Sequence, residues 1–297
     1  YMEENIMKKK LALMLAATLA MGTLLTGCGS ASGEAAQTST ETQESTEAED
    51  TAADTEQADE ASADTQIVYA VEAGSAGEEV AQEKGFQINS VASQADALME
   101  VASGTSDAAI IDLLMAGAMI GEGTSYPNLT HTDELTTEEY GVGCRKGSDL
   151  ASFINSVFAE TYADGSMLET ATTYGVQEAL VEQSAVEFTE SESDSDVAYI
   201  KDKGTLIVGI TDFAPMDYKD ESGEWIGFDA DMARKVAEKL GVEAQFVEID
   251  WDNKIMELDS KNIDVVWNGM TLTSEVKEAM ECTNAYCNNA QVIVVAQ

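Results

Sequence analysis

The sequence predicts an α/β protein in which buried strands alternate with helices and a ligand cleft forms where strands end. Thr205–Ile210 is an apolar run that is too short for a helix and typical of a strand buried on both faces. An aromatic loop at Phe213 follows, and then a helix that Asp229 can cap and Gly241 can end. Upstream, residues 108–111 form a second buried strand that ends a strand–helix–strand unit. A buried strand followed by a loop and a helix is where α/β proteins bind ligands.

The N-terminal residues have the features of a bacterial targeting segment. Residues 8–10 are three lysines, and residues 11–25 are apolar but too few to span a membrane comfortably. The tetrapeptide LTGC at 25–28 looks like a bacterial lipobox. We therefore predict a lipoprotein signal peptide and lipobox over residues 1–28, with Cys28 carrying a lipid anchor. A plain signal peptide with an incidental cysteine is the alternative.

The distribution of charged residues divides the chain into a predicted acidic stalk and a predicted folded region. The formal net charge of −41 argues against a nucleic-acid partner, because surfaces that bind nucleic acid are basic. Residues 30–65 consist mainly of Ser, Thr, Ala, Glu and Asp, without Lys or Arg. Such a segment buries too little apolar surface to offset its ordering entropy. We therefore predict a disordered acidic stalk over residues 29–65, in a protein that lies outside the cell.

The cysteines and the single histidine do not indicate a metal site. Cys282 and Cys287 are close enough in sequence for a local disulfide, or they remain free thiols like Cys144. Their spacing lacks a neighbouring histidine, so zinc is not expected. His131 has no evident partner and is predicted to lie in a surface loop. We predict no metal and no cofactor.

The region after residue 200 carries the most specific pattern in the chain. Its segments are GTLIVGI at 204–210, FAPMDY at 213–218 and GFDADMA at 227–233. In this order they resemble the opening of the first lobe in the family 3 bacterial extracellular solute-binding proteins. Later first-lobe segments of that family are similar to WD at 251–252, NGMTLT at 268–273 and QVIVV at 291–295.

The region before residue 187 resembles the other half of the same family. Second-lobe segments are similar to AVEAGSAGEE at 70–79 and SGTSDAAIID at 103–112, and the strand that returns to the first lobe is similar to YGVGCRKG at 140–147. Each family element occurs once, but the second half precedes the first. The resemblance therefore implies a two-lobe type II periplasmic-binding-protein fold that is circularly permuted. A fusion of two gene fragments is the rival explanation.

The permuted order sets the predicted domain boundaries. The second lobe covers residues 66–142, the first-lobe C-terminal helices 143–186, an acidic linker 187–196, and the main part of the first lobe 197–297. The linker joins the old termini, and we expect the new termini near the crossing between the lobes, since permutation is tolerated at exposed, neighbouring chain ends.

The resemblance implies a ligand site between the lobes. Phe213 matches an aromatic that stacks on the ligand, and Trp251 matches an aromatic on the opposite wall. Asn268, Gly269 and Thr271 match positions that hydrogen-bond the amino and carboxylate groups of the ligand. From the residues alone, Phe213 and Trp251 are equally compatible with ordinary core packing. Trp267 is predicted to be core, because it ends a buried strand.

The second lobe contributes two implied site residues. Ser75 and its neighbouring backbone match a turn that faces the ligand carboxylate, although a simple strand–helix turn is the alternative. Asp112 matches the carboxylate that pairs with the α-ammonium of the ligand. Composition alone favours a helix cap for Asp112, at the end of its buried strand.

One position departs from the family pattern. The family has an arginine that binds the α-carboxylate as a bidentate pair, and Val276 stands at that position here. The only two arginines, Arg145 and Arg234, lie elsewhere in the sequence. Lys277 is adjacent, but lysine does not replace a bidentate arginine. The preferred ligand is therefore expected to be an amine or amino acid derivative, unless backbone N–H groups hold the carboxylate.

The predicted function is that of a lipid-anchored extracellular binding protein. The resemblance implies capture of an amino acid or related small polar amine between two lobes, and delivery to an ABC permease, by a monomer. A sensory or scavenging lipoprotein without a permease is an alternative. A dehydratase-like enzyme on the same fold is a second one, but no nucleophile–base constellation is present, so we predict a protein that is not an enzyme.

Overall fold

A computed structural model describes residues 66–297. The predicted signal peptide, Cys28 and the predicted stalk lie outside the described residues. Those that are described belong to one compact unit. Within this part of the chain, no helix is long and apolar enough to cross a membrane.

The described residues alternate strands and helices along most of their length. The strands are β1 (Val68–Glu72), β2 (Gln87–Val91), β3 (Ala108–Asp112), β4 (Leu129–Glu134), β5 (Glu138–Tyr140), β6 (Gly143–Cys144), β7 (Thr205–Ile210), β8 (Tyr218–Lys219), β9 (Trp225–Ile226), β10 (Glu243–Glu248), β11 (Val265–Val266), β12 (Glu281–Cys282), β13 (Cys287–Asn289) and β14 (Gln291–Ala296). The helices are α1 (Ala76–Glu83), α2 (Gln94–Ser103), α3 (Leu113–Met119), α4 (Leu150–Ala163), α5 (Ser166–Tyr174), α6 (Asp196–Lys203), α7 (Phe228–Leu240), α8 (Lys254–Asp259) and α9 (Ser274–Ala279), with 3₁₀ turns at Gln177–Ala179 and Trp251–Asn253.

Two five-stranded sheets organise the fold. Sheet I has the order β2-β1-β3-β14-β4, and sheet II has the order β10-β7-β11-β6-β12. In each sheet three strands run parallel and the remaining two add an antiparallel edge. Strand β7 pairs with β11 in sheet II, and β3 pairs with β1 in sheet I. The fold is the predicted α/β arrangement of two lobes, with sheet I in the second lobe and sheet II in the first.

Helices α4, α5 and α7 pack together on the sheet II side of the molecule. The ring of Phe158 on α4 meets Trp267 edge-on, with ring centroids 5.6 Å apart. Trp267 is fully buried, which confirms its predicted place in the core.

Helix α7 confirms the prediction for its C-terminal end and contradicts the prediction for its N-terminal cap. Gly241 follows its last residue in the left-handed conformation, as predicted for a C-terminal glycine. The predicted cap at Asp229 is wrong, because the helix starts at Phe228 and Gly227 occupies the cap position. Asp229 is instead fully buried, and its Oδ2 accepts hydrogen bonds from the Gly269 N–H and the Tyr286 hydroxyl, each at 2.7 Å.

The chain crosses between the sheets through an antiparallel pair, β5 with β13, which we call the crossing ribbon. After β13 the chain enters sheet I as β14, which pairs antiparallel with β3. The predicted first-lobe boundary of 197–297 therefore extends too far, because the last strand belongs to sheet I. Local sequence patterns do not specify this strand's partner.

The ends of the described chain lie together, but not at the crossing ribbon. Val68 and Val295 both sit beside the start of β3: Val68 exchanges hydrogen bonds with Asp107, and Val295 pairs with Ala108. The expectation that the new termini lie near the crossing is therefore wrong. They lie at the opposite end of sheet I, because β1 starts and β14 ends there.

The acidic linker over residues 187–196 packs against α4. The Asp149 carboxylate accepts hydrogen bonds from the Ser191 and Val197 N–H groups and from the Ser195 hydroxyl. Phe188 packs edge-on against Phe153, with centroids 5.1 Å apart.

Two smaller predictions can also be compared with the structure. Cys144, Cys282 and Cys287 are free thiols, so the local disulfide does not form. His131 is exposed as predicted, but it lies on β4 rather than in a loop.

Candidate functional site

A cavity of about 280 Å³ lies between the two sheets. Sheet I contributes the carboxyl ends of β1 and β3 and the start of α1, and sheet II contributes the segments around α8, β11 and α9. Six of the seven residues predicted for the ligand site line this cavity: Ser75, Asp112, Trp251, Asn268, Gly269 and Thr271.

Phe213 is the predicted site residue that does not line the cavity. Its side chain is only 2 % exposed and meets the Tyr140 ring edge-on, with centroids 6.4 Å apart. It lies directly behind Gly269, where an added Cβ would stand 2.4 Å from the Phe213 ring. This placement supports the core alternative for Phe213 rather than stacking on a ligand.

Asn268 and Gly269 use their polar groups within the protein. Asn268 Oδ1 accepts from the Thr211 N–H at 3.0 Å, and its Nδ2 donates to Thr211 Oγ1 at 2.7 Å. The Gly269 N–H donates to Asp229. These bonds join the ends of β7 and β11 and shape the cavity wall, but they leave few groups free for a ligand.

Ser75 caps helix α1, and its surroundings are acidic. Its Oγ accepts from the Glu78 N–H at 3.1 Å, while Glu78 Oε2 accepts from the Gly74 N–H at 2.8 Å. A carboxylate of the protein itself therefore occupies the helix start that a ligand carboxylate would use.

Asp112 begins the turn into α3, but its side chain makes no cap hydrogen bond. Its Oδ1 accepts from the Tyr140 hydroxyl at 2.6 Å and from the Asn289 amide. Its Oδ2 accepts from the Gln94 amide. Burial raises the pKa of Asp112 above its ordinary value. The helix-cap alternative is thus not supported, and the carboxylate instead gathers donors from three elements.

Glu72 is a cavity residue that the sequence did not single out. It ends β1, next to β3, and only 3 % of it is exposed. Burial, and secondarily the nearby Asp112, raise its pKa to about 8. An acidic residue at the end of a buried strand was the signal that identified Asp112, and the same signal applies to Glu72.

Among residues 66–297, Lys254 is the only cationic side chain that lines the cavity, and it joins the two walls. Its Nζ donates to the Gly74 carbonyl at 2.8 Å and to the Trp251 carbonyl at 3.3 Å. An added Cβ at residue 74 would stand 2.8 Å from Asp252 Cα, so the backbones of the two walls are in close contact here. The sheets are therefore closed over the cavity.

The cavity carries an excess of negative charge. Its carboxyl groups belong to Glu72, Glu78, Glu79, Asp112, Asp252 and Glu275. Val276 is also part of the wall, at the position where the family pattern has arginine. Arg145 pairs with Asp196 at 2.9 Å, and Arg234 pairs with Asp231 at 3.0 Å, both away from the cavity. Over residues 66–297 no cluster of metal-binding side chains is found.

Comparison with known proteins finds relatives for the C-terminal third of the chain. Residues 206–297 match the sequence profile of the bacterial extracellular solute-binding proteins, family 3. The L-cystine-binding protein TcyJ of Escherichia coli is 36% identical over 29% of this chain and 33% of its own length. The cyclohexadienyl dehydratase of Pseudomonas aeruginosa is 32% identical over 33% of this chain and 35% of its own length.

A solved structure adds a further similarity. An ancestral cationic amino acid solute-binding protein is 41% identical over 28% of this chain and 37% of that chain, with a TM-score of 0.28. The chain spans about a third of the length of the curated relatives named above. Residues 206–297 are therefore similar to the family 3 bacterial extracellular solute-binding proteins.

Proposed function

We propose that this protein binds a small polar amine or amino acid between its two sheets, as the binding component of an ABC importer. The observation that carries the proposal is the acidic cavity closed between sheet I and sheet II. Six carboxyl residues and one lysine line it, so a ligand with an ammonium group meets complementary charge. It is a binding protein in this proposal, not an enzyme.

The proposed ligand site consists of the predicted residues that line the cavity. Trp251 supplies an aromatic wall, and Thr271 offers a hydroxyl that is partly exposed. Asn268 and Gly269 shape the floor, and Ser75 lies at the start of α1. Asp112 belongs to the acidic side, which faces the ammonium of the ligand. Phe213 supports this wall from behind Gly269.

We further propose that the chain is a circular permutation of the family fold. The neighbouring positions of Val68 and Val295 support it, because joining chain ends that lie beside β3 would restore a continuous order of elements. The packing of the linker on Asp149 also supports it, because a linker between unrelated fragments has no reason to be hydrogen-bonded. The lobe boundaries then follow the crossing ribbon, with β14 in the second lobe.

Cys28 is proposed to anchor the mature protein to the outer face of the cytoplasmic membrane through a lipid. A Cys28→Ala variant should accumulate unprocessed or be released, since the lipobox cysteine is the acylated residue. Membrane fractionation with metabolic lipid labelling measures this, with Cys144→Ala as the control. Normal processing and anchoring of Cys28→Ala would contradict the proposal. Permease and ATPase genes beside this one would favour import over a sensory or scavenging role.

A panel of amino acids and amines tests the binding function. A ligand at a hundred times its Kd should raise the melting temperature by about 5–10 °C, because it binds only the folded state. Calorimetry on the compounds that pass then gives affinity. If cationic, neutral and acidic amino acids and simple amines all leave the melting temperature unchanged, the proposed function is wrong.

A further inference from the structure

The acidic side of the cavity contains two adjacent buried carboxylates that differ in their surroundings. Glu72 ends β1 and Asp112 ends β3, which are parallel neighbours in sheet I. Both are almost completely buried, and both line the cavity. Either carboxylate is therefore a candidate partner for a cationic group bound in the cavity.

Asp112 has little capacity left for a ligand. A carboxylate offers about four lone-pair positions, and Asp112 already accepts from Tyr140, Asn289 and Gln94. Two of these donors belong to the crossing ribbon, since Tyr140 lies on β5 and Asn289 lies on β13. The carboxylate thus ties the strands that connect the sheets to the end of β3.

Glu72 has an acceptor that remains free. Its Oε1 is buried and has no hydrogen-bond partner among the described residues. Gln94 and Thr211 lie nearby and favour its charged form, but they do not satisfy this oxygen. A buried acceptor without a donor is costly, and the residue that carries this one lines a cavity large enough to hold a donor.

The charged groups around Glu72 do not neutralise it. Lys254, from α8, is close enough to favour the charged form, but its ammonium donates to the carbonyls of Gly74 and Trp251 and forms no ion pair with Glu72 in the described chain. Asp112, from β3, disfavours the charged form, and Glu138, from β5, lies behind Asp112. Within the described residues, Glu72 therefore has no cationic partner.

We infer that Glu72 is the carboxylate that contacts the ammonium or guanidinium group of the ligand, and that Asp112 is a positioning residue that holds the crossing ribbon. This inference rests on the proposed binding function and narrows its ligand to a cationic amine. The free protein holds a proton on Glu72, since its pKa is about 8. Binding of the cation releases that proton to the solvent, so affinity falls by up to about tenfold for each pH unit below this value.

The test uses the full chain and three probes: L-arginine, L-lysine and 1,4-diaminobutane. Glu72→Gln should weaken whichever probe binds the parent by about ten- to a hundredfold, because it removes a charge-assisted hydrogen bond. Glu83→Gln, an exposed change on α1 outside the cavity, should bind like the parent. Titrations between pH 6 and 8 should show affinity rising with pH for the parent and constant for Glu72→Gln.

Asp112→Asn separates contact from positioning. It should lower the melting temperature of the free protein and weaken all three probes alike, but it should keep the rise of affinity with pH. Glu72→Gln should fold normally, because glutamine has the shape of the protonated acid, and an unchanged melting temperature verifies this. Glu72→Asp is the second variant: it keeps the charge and should keep the pH dependence.

Three results would overturn the inference. The first is equal binding by Glu72→Gln and Glu83→Gln. The second is a pH dependence that disappears in Asp112→Asn but persists in Glu72→Gln. The third is failure of all three probes to bind the parent. In the last case a neutral or acidic amino acid that binds would still leave the proposed function standing, so the two failures are distinguishable.

Discussion

Among the buried carboxylates of the described residues, one neighbouring pair in each half of the fold can be compared. Glu72 and Asp112 end strands of sheet I and line the cavity. Asp217 and Asp229, in the other half, are fully buried and lie outside it. Neither Asp217 oxygen has a hydrogen-bond partner in the described residues, and Asp229 Oδ1 has none either.

The comparison shows that burial of acid alone does not define a site. Burial and the neighbouring Asp229 raise the pKa of Asp217 well above its ordinary value, and burial raises that of Asp229 to about 7. Burial likewise raises the pKa of Glu72. What separates the pairs is their position: Glu72 lines the cavity, whereas the Asp217 pair lies outside it and only lowers stability when it ionises.

The largest expected effect comes from the backbone that brings Asp217 to Asp229. Gly227 has φ +130°, and an added Cβ would stand 2.1 Å from the Met216 carbonyl oxygen. Gly227→Ala should therefore lower the free energy of unfolding by about 3 kcal/mol or more, from strain and overlap together. Urea unfolding measures it.

Gly223→Ala is the matched control for that change. Gly223 also has positive φ, at +86°, but an added Cβ would meet open space. Gly223→Ala should lower the free energy of unfolding by only about 1 kcal/mol, which is the strain of an alanine in the left-handed conformation. Equal losses from both variants would show that the close approach at Gly227 does not hold the pair together.

A second substitution adds a cationic side chain to the wall of the cavity that Glu72 and Asp112 also line. Val276→Arg restores the arginine of the family pattern on the cavity wall. It should favour free α-amino acids over the corresponding amines by about ten- to a hundredfold, because the guanidinium binds the carboxylate. Calorimetry with lysine and 1,5-diaminopentane measures the ratio. Val276→Lys should shift it less, and an unchanged ratio in Val276→Arg would contradict the assignment of this wall.

The smallest effect is expected at Asp217, through pH. A carboxyl group whose pKa is raised by folding favours the folded state below its unfolded value, near 3.8, and this contribution is lost as pH rises through its folded value. Stability should therefore fall as pH rises from about 4 through 7, the pKa of Asp229. Asp217→Asn should therefore be more stable than the parent at pH 8, because it removes the buried charge.

At pH 4 the two proteins should be equally stable, because both side chains are then uncharged. Asp220→Asn is a control of opposite sign: hydrogen bonds from Ser222 and the turn backbone lower the pKa of Asp220, so its contribution is present at high pH and lost in acid. Denaturant midpoints measured across the pH range test both variants. If the denaturant midpoint of Asp217→Asn changes with pH in parallel with that of the parent, Asp217 does not contribute to the pH dependence of stability.

The sequence alone was sufficient to predict the parts of the fold that depend on neighbouring residues. The apolar run Thr205–Ile210 forms the predicted strand, and Gly241 ends the predicted helix. These features follow from local burial pattern and from the freedom of glycine at positive φ. The motif segments likewise predict Ser75, Trp251 and Thr271 for one ligand site, and all three line the same cavity.

The tertiary structure alone decided how the carboxylates are used and where the last strand pairs. Asn289 reaches Asp112 across 177 residues, and this contact occupies one oxygen of the carboxylate that the resemblance assigned to a ligand ammonium. The same folding leaves Glu72 Oε1 without a donor and turns Phe213 into the core. Hydrogen-bond partners distant in sequence are not encoded by periodicity or spacing, because each side chain's environment depends on how both sheets close around it.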